Sequence, residues 1–249
     1  MLSKREIYFL NESNKIDNLH DFSYDKNSNQ GHAKAWIYLR EKVKSQNLIA
    51  LKDICYIQKL ITIEQECIGE VLEDILKGNI RSPKVPYNVK VGGYQAPKYD
   101  KVPDLMENYI TSLNGELSNP TMHPLDSSAV YHKRFESIQP FGAGNGRTGR
   151  LIANYGLKGS SIIPFEFEDR EKYYDACKSE DLMKKYFIEK SIKYGICMND
   201  KCDNDLIKND DADITQNETV IYECNMCGQI NAVECHDIRF WRDSNINYP

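Results

Sequence analysis

The chain has no run of eighteen apolar residues, so no membrane-spanning helix is expected. Its start, MLSKREIYFLNESNK, has no seven-residue apolar core behind its basic residues, which excludes a secretory signal peptide. The two absences point to the cytoplasm, or to an effector exported without a cleaved signal, with no membrane partner. Basic charge is not in excess: 32 Lys and Arg face 37 Asp and Glu, a net charge of −5. That disfavours wholesale nucleic-acid binding, which selects basic surfaces. No internal repeat is present. The 249 residues are 41% hydrophobic and 28% charged, too apolar for a disordered chain, and suit one large domain or a domain with an appendage.

Cysteine, by contrast, is plentiful. Cys55, Cys67 and Cys177 are scattered through apolar-periodic stretches and are expected to act as small buried apolar side chains. The other five crowd into the last quarter. The organisation reads as three parts: a polar, Asn-rich segment over 1–30, a helical region over 31–194, and a cysteine-bearing module over 195–249 with an acidic stretch from Asn204 to Asn217. In the middle part, helical spacing predicts a helix opening at Ala33 with Trp36 and Leu39 on one face. It predicts a long amphipathic stretch from Leu51 to Leu76, carrying Ile54, Ile57, Leu60, Ile61, Ile68 and Leu72 and stopped by Gly78-Asn79. Asn88–Ala96 alternates, with Val89 and Val91 expected on one side and Gly92-Gly93 marking a hairpin. Further helices are expected from Pro103 to Leu113, from Leu125 to Ile138 with Val130, Phe135 and Ile138 inward, from about Gly146 to Leu157, and over Asp169–Ala176 and Ser179–Tyr194.

The most informative stretch is Gln139-Pro-Phe-Gly-Ala-Gly-Asn-Gly-Arg-Thr-Gly-Arg150, a glycine-rich loop running into a helix. Glycines permit tight turns and close approach of a ligand to backbone N–H groups. A helix N-terminus offers unsatisfied donors and partial positive charge, and so binds anions. Arg147 and Arg150, three apart, share a helix face, and guanidinium groups suit phosphate. Asn145 adds an amide at the junction. The competing reading is a capping loop with solvated or ion-paired arginines, which four glycines and two following arginines make the weaker one.

This stretch resembles the signature of Fic (Fido-fold) proteins, His-Pro-Phe-x-(Asp/Glu)-(Ala/Gly)-Asn-(Gly/Lys)-Arg-x-x-Arg. Pro140, Phe141, Gly144, Asn145, Gly146, Arg147 and Arg150 are in register with it. The helix His132–Ile138, the segment Val91-Gly92-Gly93 with Val102–Met106, and Glu168–Tyr174 are similar to the lead-in helix, the hairpin flap with its trailing helix, and the segment after the motif. The resemblance covers about residues 31–190. It implies a mainly α fold, a Fic/Fido helical core with a β-hairpin flap. It also implies transfer of AMP from ATP to a hydroxyl of a target protein, with a nucleotide held by Phe141, Gly144, Asn145, Gly146, Arg147 and Arg150.

Two positions depart from the signature. Gln139 stands where the catalytic histidine is expected, and a carboxamide has no basic nitrogen near neutral pH. Ala143 stands where the Mg²⁺-binding acid is expected, and a methyl group offers no hard oxygen ligand, so Mg²⁺ is doubtful. A degenerate adenylyltransferase that still binds ATP or another adenine nucleotide is therefore expected. The alternative is a non-catalytic module that binds a protein or nucleic-acid partner through the flap groove or the C-terminal part. His132 lies seven residues before Gln139, roughly 10 Å along a helix, too far to replace it directly, and is expected to be a packed histidine. Ser13-Asn-Lys-Ile-Asp17-Asn18 resembles the self-inhibitory motif upstream of many Fic cores, (Ser/Thr)-x-x-x-Glu-(Gly/Asn), with aspartate for glutamate. That resemblance implies a carboxylate paired with Arg150. The competing reading is a short polar helix with an N-cap serine. A homo-oligomer is compatible with the sequence.

Cys197-x4-Cys202 and Cys224-x2-Cys227, with twenty-one residues between the pairs, suit a tetrahedral structural Zn²⁺. Cys235 or His236 could replace one ligand. Thr219–Cys224 and Ile230–Glu234 read as strands flanking a knuckle, hence a zinc ribbon, in which Arg239, Trp241 and Arg242 could form a small basic-aromatic face. Disulfides are disfavoured without a secretory signal. About one zinc per chain, released by a thiol modifier, is the expected outcome of metal analysis on the purified protein. Metal-free protein with all four thiols freely reactive would exclude the ribbon.

Overall fold

The first helix, α1 (Lys4–Ile16), begins in a capping box: Ser3 Oγ accepts the Glu6 N–H, and Glu6 Oε2 accepts the Ser3 N–H at 2.7 Å. Glu6 then does further work. It is buried, and it accepts Trp36 Nε1–H at 2.7 Å while pairing with Arg40 at 3.0 Å. One turn on, Phe9 is fully buried, edge-on to Trp36 with ring centroids 5.8 Å apart and near His32 and Phe165. Asn14 donates to the Tyr24 hydroxyl and faces His32 Nδ1 at 2.9 Å. The 1–30 segment is thus more than a polar arm. Leu2, Phe9, Leu10 and Ile16 share one hydrophobic core with the helices that follow.

The computed structural model describes residues 1–19, 23–28, 30–45, 48–66, 72–157, 165–193, 219–223 and 230–234. After α1 come α2 (Gly31–Lys44) and α3 (Leu51–Glu66), which pack against each other, with Trp36 and Leu39 both buried as their spacing requires. The apolar stretch expected to run from Leu51 to Leu76 is not one helix. Glu73 is outside the helical region, with φ −57° and ψ 134°, and Asp74–Leu76 forms a single 3-10 turn. The physical reason is Gln58 of α3, fully buried. It donates to the Leu76 carbonyl at 3.2 Å and accepts the Gly78 N–H, so the chain folds back onto α3 instead of prolonging it. Cys67 and Ile68 lie outside the described residues.

Two short strands, β1 (Lys90–Val91) and β2 (Tyr94–Gln95), pair antiparallel around Gly92-Gly93, as the hairpin signal predicts. Val89 and Val91 do not share an environment, however. Val89 is buried and Val91 is half exposed, because the ribbon stands out from the core and covers only its base. Helix α4 (Val102–Ser118) carries Pro103 in its first turn and buries Val102, Met106, Tyr109 and Leu113 at helical spacing. Helices α5 (Pro124–Ile138) and α6 (Asn145–Gly156) are the most enclosed elements and pack against each other, with α1, α2 and α3 around α6. His123 caps α5, its Nδ1 accepting the Leu125 N–H. Helices α7 (Arg170–Ala176) and α8 (Glu180–Lys193) close the far side, α8 lying against α5. Buried Lys190 on α8 pairs with Glu166 and Asp169, and Glu166 also accepts the Tyr8 hydroxyl, which ties α8 to α1 through the segment before α7.

The architecture is mainly α with a small hairpin. Among the described residues no helix is long and apolar enough to cross a membrane. Cys55 and Cys177 are half-buried free thiols whose pKa values burial pushes up to about 11 and about 12, which disfavours the thiolate. In the last quarter, β3 (Thr219–Glu223) and β4 (Ile230–Glu234) pair antiparallel, with Thr219 opposite Glu234 and Glu223 opposite Ile230. These are the two strands expected to flank a knuckle. Cys197, Cys202, Cys224 and Cys227, with Cys235, His236 and the Arg239–Arg242 trio, lie outside the described residues.

Because Phe9 anchors α1, Phe9→Ala should destabilise the whole fold by about 3–5 kcal/mol in urea unfolding, the cost of a large buried ring. A change below about 0.5 kcal/mol, the range of surface substitutions, would mean that α1 is not part of the cooperative core.

Candidate functional site

The loop between α5 and α6 is built by residues remote from it in sequence. Gln139 caps α5 in the left-handed region, φ 48°, ψ 62°, its N–H still bonded to the Phe135 carbonyl. That conformation is costly for a non-glycine residue and persists because the neighbouring carbonyls are all held. Arg81, wholly buried, donates Nε–H to the Gln139 carbonyl at 2.7 Å and Nη2–H to the Ile138 carbonyl at 2.8 Å. Its own N–H reaches the Pro140 carbonyl at 2.7 Å. The same guanidinium holds Tyr87 and Pro97, at the two ends of the flap, through Nη1. A buried cation is thus met by carbonyl dipoles. Gln58 takes the Ala143 carbonyl at 3.0 Å, and Asn145 binds both the N–H and the carbonyl of Phe141 at 2.8 Å. Asn145, expected as a ligand for phosphate, therefore has its amide engaged in closing the loop. Phe141 is fully buried.

Gly144 is the N-cap of α6 at φ 73°, a conformation that favours glycine, and its carbonyl accepts Thr148 Oγ–H at 2.8 Å. Beyond it the two arginines sit as their spacing predicts, each 1% exposed. Between them lies Asp17, the residue after α1. Its Oδ1 is 3.0 Å from Arg150 Nη2 and its Oδ2 3.3 Å from Arg147 Nε. Ser13, one turn earlier, completes the grip: its hydroxyl accepts Arg150 Nε–H and its carbonyl accepts Nη2–H, both at 2.8 Å. A Cβ on Gly146 would lie 3.3 Å from Asp17 Oδ1 and 2.9 Å from Arg150 Nη1, so a larger residue would press on this carboxylate–guanidinium contact. Asp17 thus lies at the α6 N-terminus, where partial positive charge and two guanidiniums meet, the position suited to an anionic ligand.

Burial alone would weaken the charge on Arg150, but Asp17, with Tyr173 and Glu136, outweighs it and raises the pKa above its ordinary value. Nearby histidines stay neutral. His32 is held well below its usual range by burial, then by Arg147 and Arg150, and His132 is pushed down to about 3 mainly by burial. His132 faces the Tyr173 hydroxyl at 3.0 Å among Phe165 and Phe187, the packed histidine its position suggested.

Gln139 is not free either. Its Nε2 donates to the Glu136 carbonyl at 3.0 Å and to Glu136 Oε2 at 2.7 Å. Glu136 is half-buried as a residue, but its Oε1 is shut off from solvent and accepts no hydrogen bond among the described residues. Burial first, and then Asp17, lift its pKa to about 7 against the pull of Arg150, Gln139 and Lys133. Sequence reasoning did not single out Glu136, Gln58 or Arg81. Gln58 left a trace, a polar residue amid the apolar positions of α3. Glu136 left another, one helical turn before Gln139. Arg81 left none.

Ser13, Asp17, Arg147 and Arg150 are therefore brought together with Gly144 and Gly146. Val91, Gly92 and Gly93 stand on the hairpin, whose Tyr94 hydroxyl reaches the Ser137 carbonyl at 2.7 Å. Among the described residues no cluster of three or more His, Cys, Asp or Glu side chains could hold a metal ion.

Part of the chain is similar to known proteins. A family model, Fic/DOC family, matches residues 49–157. The chain is 32% identical over 136 residues to the protein adenylyltransferase Fic of Culex quinquefasciatus, covering 54% of this chain and 26% of that protein. It is 31% identical over 108 residues to a probable protein adenylyltransferase of Aquifex aeolicus, covering 43% and 32%. The chain thus spans about a quarter to a third of the length of these relatives. Among solved structures, a Fic domain-containing signaling protein from Bacteroides thetaiotaomicron superposes with a TM-score of 0.55 at 17% identity, covering 78% of this chain and 74% of that one. Fic-1 from C. elegans does so with 0.55 at 21%, covering 76% and 61%.

The buried carboxyl generates a pH test. Glu136 titrates near 7 in the fold and near 4.5 when unfolded, so the folded state binds the extra proton between those values. Stability from this group is therefore full below about pH 4.5 and lost as pH rises toward 7. Glu136→Gln should remove that loss, and the difference between variant and native stability should grow in the variant's favour from pH 4.5 to 7, on the order of 2–3 kcal/mol. Parallel stability curves would show an ordinary carboxylate.

Proposed function

We propose, from the match of a Fic/DOC family model to residues 49–157, that the chain is a nucleotide-binding protein of the adenylyltransferase type whose AMP transfer from ATP to a protein hydroxyl is weak or absent. The relatives it matches are named protein adenylyltransferases, and their chemistry is the starting point of this reading. The observation that carries it is the anion cradle: two buried arginines and the start of α6 converge on one spot, and Asp17 lies in it.

The residues present divide the reaction. Arg147, Arg150 and the N–H groups at the start of α6 suit phosphate once Asp17 moves aside. Gln139 can hold a hydroxyl by hydrogen bonding but cannot take its proton, and its amide is already engaged by Glu136. Loss of a general base costs roughly 10²–10⁴ in rate. Mg²⁺ does not fit this turn: Ala143 offers a methyl group, and its carbonyl accepts the Gln58 amide. The backbone cradle is retained while both chemical groups are missing, which supports binding without efficient transfer.

Ser13 and Asp17 act as a self-inhibitory pair in this reading. The carboxylate competes with the terminal phosphates of ATP for Arg150 and repels them, while AMP, with less charge, is affected less. Asp17→Ala should tighten ATP binding about tenfold, roughly 1–2 kcal/mol, and leave AMP nearly unchanged in calorimetric titrations. Arg147→Ala should weaken both. Neither native protein nor Asp17→Ala should label extract proteins from α-labelled ATP, whereas Gln139→His with Ala143→Asp should. Equal ATP affinities with and without Asp17 would remove the inhibitory assignment. Absence of nucleotide binding by every variant would remove the nucleotide site.

A further inference from the structure

Beside the flap, α4, α5 and the turn between α7 and α8 enclose a groove of about 480 Å³ that the nucleotide reading does not use. Leu105, Tyr109, Tyr131 and Ile138 are among its apolar lining, and Lys133 and Ser137, one turn apart on α5, are among its polar lining. The cations around it are not equivalent. Arg134 pairs with Glu180 at 2.9 Å, and Lys178 pairs with Asp175. Lys133 is half-buried, and its Nζ donates to the neutral Ser137 hydroxyl. No carboxylate lies within 4 Å of that ammonium among the described residues; Glu136, the nearest acid on its own helix, binds Gln139 instead. Glu136 acts on Lys133 only through space, so a part-buried ammonium that donates to a neutral hydroxyl in the lining of this groove has the charge and the donors to meet one carboxylate.

The groove is also continuous with the flap. Ser137 lines it, and the carbonyl of the same residue accepts the Tyr94 hydroxyl from β2. Ile138 lines it and is followed directly by Gln139. Lys133, six residues before Gln139, lies roughly 9 Å back along α5, so an extended polypeptide passing Gln139 would bring a side chain two or three residues away toward Lys133.

We propose that this groove receives an acidic side chain of a protein partner, with an adjoining apolar side chain against Leu105 and Ile138. The proposal rests on the target-protein reading above and specifies the partner's chemistry: an Asp or Glu beside an apolar residue, near the hydroxyl presented at Gln139. Lys133 is the residue that selects it, and the other wall residues set the shape.

The test uses the full chain, isotope-labelled for amide NMR and free of nucleotide. Two probe peptides are compared, acetyl-Glu-Leu-Thr-Glu-Leu-amide and its counterpart with glutamine for both glutamates. The acidic peptide should move the amide signals of Ser112, Lys133, Ser137 and Ser179, and the glutamine peptide should bind at least about tenfold more weakly. Lys133→Gln should reduce acidic-peptide binding by a similar factor, while Lys133→Arg retains it. Equal binding of the two peptides, or none at these residues, overturns the proposal, and that comparison needs no variant. Competition by inorganic phosphate at equal concentration would make this an ion site and overturn the polypeptide partner. A shift of the Asp210 and Asp211 signals on Lys133→Gln, without peptide, would assign the groove to the chain's own acidic stretch and equally overturn it. Subsequent addition of ATP reads the Gly146 and Arg147 amides separately, so failure of the nucleotide reading and failure of this one give different spectra.

Discussion

Two arginines, each 1% exposed, lie side by side at the positive end of a helix, and the carboxylate of Asp17, the residue after α1, stands between them. That carboxylate offsets part of the cost of burying two like charges next to a helix N-terminus. Asp17 reaches this place because α1 is docked along its length. Phe9 sits against Trp36, Glu6 takes the Trp36 N–H and Arg40, and Asn14 meets His32 and Tyr24. The hydrophobic core and the candidate site therefore depend on one constraint. An N-terminal helix that came loose would lose its apolar contacts and uncover the two guanidiniums together.

The loop before α6 shows how shape and chemistry can separate. Its backbone is held by Arg81, Gln58 and Asn145, none of which would take part in proton transfer or metal binding. The side chains at 139 and 143 can vary while the turn keeps its form, because the hydrogen bonds that form it go mostly to main-chain carbonyls. Arg81 extends this to the flap, since one guanidinium binds both ends of the hairpin and the loop together. The left-handed Gln139 is the point at which these restraints meet, and its amide is drawn toward Glu136 as a result.

Glu136 and Lys133 illustrate what neighbouring positions on one helix can differ in. Glu136 faces inward between Arg150 and Gln139, in surroundings that favour its proton. Lys133, three residues earlier, turns toward the groove with a hydroxyl for a partner. Their sequence spacing is compatible with an ion pair, yet each is oriented by a different neighbour.

What the sequence determined by itself is local and periodic. The helices over 31–44, 102–118, 124–138 and 145–156, the Gly92-Gly93 hairpin, and the glycine loop leading to Arg147 and Arg150 all follow from spacing and turn chemistry, which act over a few residues. The link of Ser13 and Asp17 to Arg150 was legible only through resemblance, because 133 positions separate Asp17 from Arg150 and no periodicity spans them. Only the tertiary structure decided that the Leu51–Leu76 stretch breaks and folds back on Gln58, that Val89 is buried while Val91 is not, and that Asn145 closes the loop. The same holds for Arg81, which looks like any loop arginine until the flap and the α5–α6 turn close around it. Burial and long-range hydrogen bonding set these outcomes, and both depend on which elements meet in space.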